Sequence, residues 1–155
     1  MYHVSYLSFY QSPIGLIRIN TSDCAVLSLS FVDKIDNGVE NALSIKVKKE
    51  LELYFKGELK SFSFYNYLVF GLEAKILEIV SHIPYGEVKT YKEIAKELGN
   101  EETISPIIKV LNNNPCPILL PCHRVINSKN NIGSYVGGIN RKRKLLELEN
   151  VKIKN

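Results

Sequence analysis

The chain has 155 residues, 45% hydrophobic and 23% charged, with 9 glycines, 6 prolines and no low-complexity run, a composition that excludes disorder and collagen-like repeats. At this length folding buries about 68–70% of the surface the unfolded chain exposes, enough for one full domain or two small packed lobes without covalent staples. The net charge is +4 and falls in the second half: residues 1–70 carry 7 Lys+Arg against 7 Asp+Glu, residues 71–155 carry 13 against 9. So modest an excess suits a solvated surface, and favours a polyanionic partner only beside a DNA-binding motif.

No apolar stretch approaches the roughly 20 residues of a membrane span. Residues 1–5 lack the basic and apolar regions of a secretory signal, so the protein is expected in the cytoplasm. Three cysteines, Cys24, Cys116 and Cys122, are an odd number without the paired spacings of a zinc finger, which leaves at least one free thiol. His3, Cys24 and His82 follow no metal-ligand spacing, and neither a metal nor a cofactor is expected.

In chain order, residues 1–32 alternate apolar and polar positions in Leu16-Ile17-Arg18-Ile19-Asn20 and Val26-Leu27-Ser28-Leu29-Ser30, broken by turn residues at Ser12-Pro13-Ile14-Gly15 and Thr21-Ser22-Asp23. This predicts a small antiparallel sheet. Leu43, Val47, Leu51 and Tyr54 recur at helical spacing before Gly57, so a helix covers the sheet. Residues 61–66 read as a short strand or loop, and the boundary between a first lobe, 1–66, and a second, 67–155, is placed at Tyr67.

The second lobe opens with apolar residues Leu72, Ile76, Ile79 and Val80 at helical spacing, ending before Pro84. Tyr85-Gly86 makes a turn. Thr90 and Glu93 form a capping box ahead of Ile94 and Leu98, with Gly99 as the stop. Ser105 reads as an N-cap with Pro106 at the first helical position, and Ile107, Val110 and Leu111 supply the buried stripe. Two short helices so joined fit a helix-turn-helix, although most such pairs are only packing units. The expected fold class is α+β: an N-terminal antiparallel sheet with a helix, then a helical lobe with a helix-turn-helix.

Chemistry concentrates in Leu119-Leu120-Pro121-Cys122-His123-Arg124-Val125, where a thiol, an imidazole and a guanidinium interrupt an apolar run. A thiolate is the nucleophile, and cationic or hydrogen-bonding neighbours pull a cysteine down from about 8.5 toward roughly 3.5–7.5. His123 and Arg124 are suitable neighbours. An arbitrary Cys-His pair is more often a buried structural cysteine beside a capping histidine, and composition alone does not overturn that reading.

The order of motifs does. Pro84-x-Gly86-x-Val88-x-x-Tyr91-x-x-Ile94-Ala95, Asn114-Pro115-x-Pro117-Ile118-Leu119-Leu120-Pro121-Cys122-His123-Arg124-Val125, Gly133-x-Tyr135-x-Gly137-Gly138 and Leu145-Leu146-x-x-Glu149 together resemble the O6-alkylguanine-DNA alkyltransferase family. The Pro-Cys-His-Arg-Val segment is the most specific part. The resemblance covers the second lobe, and reaches the first only through Ser12-Pro13-Ile14-Gly15 and the helix end at Leu53-Tyr54-Phe55-Lys56-Gly57-Glu58, implying an RNase H-like lobe there.

The resemblance implies a suicide repair protein that acts as a monomer on double-stranded DNA containing O6-alkylguanine, flipping the base and moving its alkyl group onto its own cysteine. It makes Cys122 the acceptor, His123 the base that takes the thiol proton through a water, and Glu149 the acid that orients His123. Tyr91 donates to the flipped base, and Lys142 stands near the leaving oxygen. The backbone at Cys122 and Val125 reads the base, Tyr135 and Val136 cover it, and Arg124 is grouped with these substrate contacts. Asn114 ties the recognition helix to the active-site loop, which agrees with the helix end and turn expected at Asn112-Asn113-Asn114. Residues Arg141, Lys142, Arg143 and Lys144 form a basic run beside them.

Ser105, Pro106, Ile107 and Lys109 take the DNA-facing position, but the family's Arg-Ala-Val-Gly segment, with its intercalating arginine, is missing. Counting back from Cys122 puts Ser105 in its place, and aligning on Ser105-Pro106 puts Ile107 there. Ile107 serves as an apolar wedge on this reading, with Lys109 supplying nearby charge. The expectation is retained alkyl acceptance with weaker or altered duplex recognition. Cys116, between Pro115 and Pro117, reads as a small buried residue of the loop. Competing classes are a helix-turn-helix regulator or non-catalytic lesion binder, and a thiol hydrolase that turns over.

Overall fold

The computed structural model describes residues 5–100, 104–128 and 131–153; His3 lies outside them. The chain forms two compact units, Met1–Leu68 and Val69–Asn155.

In the first unit, β1 (Tyr6–Ser12), β2 (Gly15–Thr21) and β3 (Val26–Val32) make an antiparallel sheet in the order β1-β2-β3. Ser12 pairs with Gly15 across a two-residue turn, whose backbone the Ser12 hydroxyl closes by donating to the Gly15 carbonyl at 2.6 Å. The period of two sends Ile17, Ile19 and Thr21 to one face of β2, where all three are buried. They form the core with Val26 and Leu29 of β3 and with Val47, Leu51 and Tyr54 of α1 (Ala42–Phe55), a helix that packs on β1 and β2.

The start of α1 is fixed by a capping box in which Asn41 accepts from the Ser44 N–H at 2.8 Å and its own N–H donates to the Ser44 hydroxyl at 3.0 Å. Gly57, at φ +76°, ends the helical stretch as expected. Residues 61–66 form no strand. They are held on α1 by the Glu50 carboxylate, which accepts from the Ser63 N–H and hydroxyl and from the Tyr65 hydroxyl.

The second unit contains α2 (Gly71–Ser81), β4 (Lys89–Thr90), α3 (Tyr91–Glu97), α4 (Ile104–Asn112), a 3-10 turn at Cys122–Arg124, β5 (Val125–Ile126) and α5 (Ile139–Leu148). Helices α2, α3 and α4 pack on one another through Ile76, Leu77, Val80, Ile94, Ala95, Ile107 and Leu111, all buried. Leu72 is instead 49% exposed, because it stands in the first turn of α2, outside this packed face. Thr90 caps α3 as expected, accepting from the Glu93 N–H at 3.2 Å.

Helix α4 begins at Ile104, so Ser105 and Pro106 lie inside its first turn and not at its cap. Proline is tolerated there because first-turn N–H groups have no intrahelical acceptor. Val110 is only half-buried. The short strands β4 and β5 pair in parallel, Lys89 with Val125 and Thr90 with Ile126, and bring the start of α3 beside the end of the 3-10 turn.

Candidate active site

The segment before Cys122 is shaped by backbone constraint. Ile118 sits at φ +77°, a left-handed conformation that is strained for a β-branched residue. Leu120 N–H donates back to the Cys116 carbonyl at 2.9 Å. Asn114, just past α4, ties the loop down with both ends of its amide. Its Nδ2 donates to the Leu120 carbonyl at 2.8 Å, and its Oδ1 accepts from the Cys116 N–H at 2.9 Å. Asn114 thus joins the end of α4 to the loop, and Cys116 is fully buried there, outside any disulfide.

Cys122 opens the 3-10 turn and is 3% exposed. Burial pushes its thiol up to about 11, and the Asn114 hydrogen bond and the Lys142 charge offset only part of that. The expectation that His123 and Arg124 make the thiol acidic is thus corrected: desolvation of the thiolate outweighs its polar neighbours, and the resting group is a neutral S–H.

Both residues face Glu149 instead. His123 Nε2 lies 2.7 Å from Glu149 Oε2. Arg124 donates from Nε to Oε1 at 2.9 Å and from Nη2 to Oε2 at 3.0 Å, and its Nη1 donates to the Ile83 carbonyl at 2.7 Å. The Gly86 N–H is the fourth donor to the carboxylate, reaching Oε1 at 3.1 Å. With its guanidinium so engaged, Arg124 is a partner of Glu149 and not a substrate contact. The arrangement follows from the fold: α5 ends at Leu148, Glu149 is its C-cap, and Asn150 at φ +61° turns the chain away.

Burial pushes the Glu149 carboxyl up, but His123 and Arg124 together more than reverse this and hold it well below the usual carboxylate range. An ionised carboxylate only accepts, so Nε2 of His123 carries the proton that points to it. Nδ1 is then a lone-pair acceptor, and it is buried without a hydrogen-bond partner among the described residues. Burial also holds the imidazole below its ordinary value, so it is neutral and able to take a proton at pH 7.

Around this triad stand the other expected residues. Lys142 is fully buried, donates to the carbonyls of Val125 at 2.5 Å and Ser134 at 2.9 Å, and lies 6.0 Å from the Tyr91 ring centre. Desolvation brings its ammonium down to about 8. Tyr91 is buried at the first position of α3. Tyr135 meets the His123 ring edge-on at 6.5 Å, and Val136 is 39% exposed at the rim.

Ser105, Pro106 and Lys109 are on the exposed side of α4. Ile107 is not: it is 0% exposed, so it belongs to the core and is no wedge for base steps. Sequence reading missed the donors and acceptors that the backbone supplies at Ile83 and Gly86, whose only signal was the Pro84-x-Gly86 turn, and it missed Ser134. Among the described residues no group of three or more His, Cys, Asp or Glu side chains converges where a metal could bind.

A buried thiol, a neutral histidine next to it in the chain and a carboxylate fixing that histidine, carried on a small helical unit, are the groups that proteins with a cysteine nucleophile use. Residues 71–151 match the model of the 6-O-methylguanine DNA methyltransferase DNA-binding domain, and residues 5–65 match that family's ribonuclease-like domain. A methylated-DNA–protein-cysteine methyltransferase of Saccharolobus islandicus is 36% identical over 93% of this chain and 95% of its own. One from Methanosarcina acetivorans is 35% identical over 93% and 97%. The crystal structure of the Mycobacterium tuberculosis O6-methylguanine methyltransferase superposes with a TM-score of 0.83 at 29% identity, covering 94% of this chain and 93% of that one. The same organism's protein, solved in complex with DNA, gives 0.81 at 30% identity over 91% and 90%. The chain belongs to the methylated-DNA–protein-cysteine methyltransferase family, with the α+β fold expected for it.

Proposed function

We propose that this protein repairs O6-alkylguanine in double-stranded DNA as a monomer, moving the alkyl group once onto Cys122. The single observation that carries this reading is the buried Cys122–His123–Glu149 arrangement, with the Nδ1 lone pair of His123 left to accept a proton. Chemistry on a base requires its extrusion from the stack, at a cost of a few kcal/mol. The thiol proton passes through a water to His123 Nδ1, and the sulfur attacks the alkyl carbon. An S–C bond forms, the C–O6 bond breaks, and its electron pair stays on guanine O6. Donation from Tyr91, with the Lys142 ammonium nearby, offsets that charge until the guanine takes up a proton from solvent, balanced by release of the one that His123 had accepted from the thiol. The products are unmodified guanine and an S-alkylcysteine.

No group in this scheme cleaves a thioether, so transfer stops at one equivalent. With excess O6-methylguanine duplex, methyl transfer is expected to plateau at one per protein molecule; continued release of product would instead make Cys122 a turnover nucleophile, as in a thiol hydrolase.

DNA engagement belongs to α4, which has no arginine and whose one basic side chain is Lys109. The recognition helix is on this reading atypical, and duplex affinity is lower than an arginine there would give. Ser105 is the position to test, since it is exposed, whereas Ile107→Arg would bury a charge in the core. Ser105→Arg is expected to tighten binding several-fold and to steepen the salt dependence by about −0.9 per added phosphate contact. Equal affinity of the two proteins would remove Ser105 from the DNA-facing position.

A further inference from the structure

The loop that carries Tyr135 is joined to α4 by a side-chain pair that the proposed chemistry does not itself use. The Ser134 hydroxyl donates at 3.0 Å to Oδ1 of Asn112, the last residue of α4. The carbonyl of the same serine accepts from Lys142 Nζ. At the Tyr91 phenol, which burial pushes up, Ser134 acts in the opposite direction.

The contact with Tyr91 is close. Gly133 stands at φ +77°, and a Cβ added there would come 2.8 Å from the Tyr91 hydroxyl oxygen, so the loop backbone lies directly against it. The loop thus meets the end of α4 through the Ser134 hydroxyl, the Lys142 ammonium through the Ser134 carbonyl, and the Tyr91 phenol through the backbone at Gly133.

We infer that Ser134 is a positioning residue: paired with Asn112, it holds the Tyr91 hydroxyl and the Lys142 ammonium where the flipped base meets them, and so links α4 to the chemical step. This rests on the alkyl-transfer reading. The serine does not touch the reacting atoms and acts only through Tyr91 and Lys142. It is exposed, so truncating its hydroxyl leaves the core intact.

The test is single-turnover transfer from an O6-methylguanine duplex, resolved into the rate at saturating DNA and the DNA concentration giving half that rate. Ser134→Ala is expected to lower the saturating rate about three- to tenfold, the range for loss of one neutral hydrogen bond, with half-saturation unchanged. Asn112→Ala should do the same, the double variant should be no slower than either single one, and Ser134→Thr should keep the wild-type rate. A wild-type rate in Ser134→Ala would overturn the inference, as would losses that multiply in the double variant. If the wild-type protein itself accepts no methyl group, the alkyl-transfer reading fails and the positioning role falls with it. If the wild type transfers and only the Ser134 effect is missing, the positioning role alone is lost.

Discussion

Replacing Cys122 by serine is expected to abolish alkyl transfer while leaving duplex affinity within about twofold of the wild type. The side chain is of similar size and sits 3% exposed in the 3-10 turn, so the fold has no cavity to absorb. The chemistry has no substitute. On the proposed mechanism even the thiol, pushed up to about 11 by burial, needs His123 to take its proton, and a serine hydroxyl is a far weaker acid and a poorer nucleophile toward saturated carbon. The rate should fall by a factor on the order of 10⁶, the size of loss seen when a nucleophile is removed from a triad acting as a unit. Affinity is unaffected because α4, to which DNA engagement is assigned, is a separate element. Gel-shift titration beside a transfer assay checks both halves; transfer surviving in the variant would take the acceptor role from Cys122.

Glu149→Gln has the second-largest expected effect, and it acts on stability as well as rate. The carboxylate takes donors from His123, Arg124 and Gly86. A neutral amide leaves the buried guanidinium uncompensated, a change that costs about 3–5 kcal/mol when one partner of a buried pair is removed. The amide can also donate toward His123 Nε2, which places the imidazole proton on Nδ1, where the acceptor is needed. Loss of the correct tautomer costs on the order of 10⁴-fold in rate in comparable triads.

The pH dependence has a definite sign. The folded Glu149 carboxyl lies well below its ordinary 4.5, so its contribution to stability is fully present above that pH and is lost on acidification below it. His123, held below its ordinary 6.5 by burial, works in the same direction, since the unfolded state takes up the proton first as pH falls through 6.5. The wild-type melting temperature should therefore drop on acidification from pH 7 to 4, and the Glu149→Gln protein should start lower and lose less below pH 4.5. A variant as stable as the wild type at pH 7 would show that the His123–Arg124–Glu149 contacts do not hold the fold.

How far the sequence anticipates this structure depends on the range of the interaction. The capping box at Thr90 and Glu93 is local, and it appears where its residues predict. The one at Asn41 and Ser44 escapes because its third position is a serine and not Glu or Gln. Strands β4 and β5 escape for another reason: two residues each are too short to show a period. Cys122 and His123 stand out as adjacent polar groups in an apolar run, but Glu149 is 26 residues from His123 and no spacing rule reaches that far; only the resemblance of ordered motifs does. The same distance explains the misreading of Arg124, which looks available in one dimension and is consumed by Glu149 in three. Ile107 is a parallel case. An apolar residue on a DNA-facing helix can be wedge or core, and only packing decides between them.

The most direct test of the central claim is the intact mass of the reduced protein after incubation with duplex DNA containing O6-methylguanine, followed by peptide mapping. One added methyl group, on the peptide that holds Cys122 and on no other, is the expected result. An unmodified protein, or a methyl group mapped to Cys24 or Cys116, would contradict it.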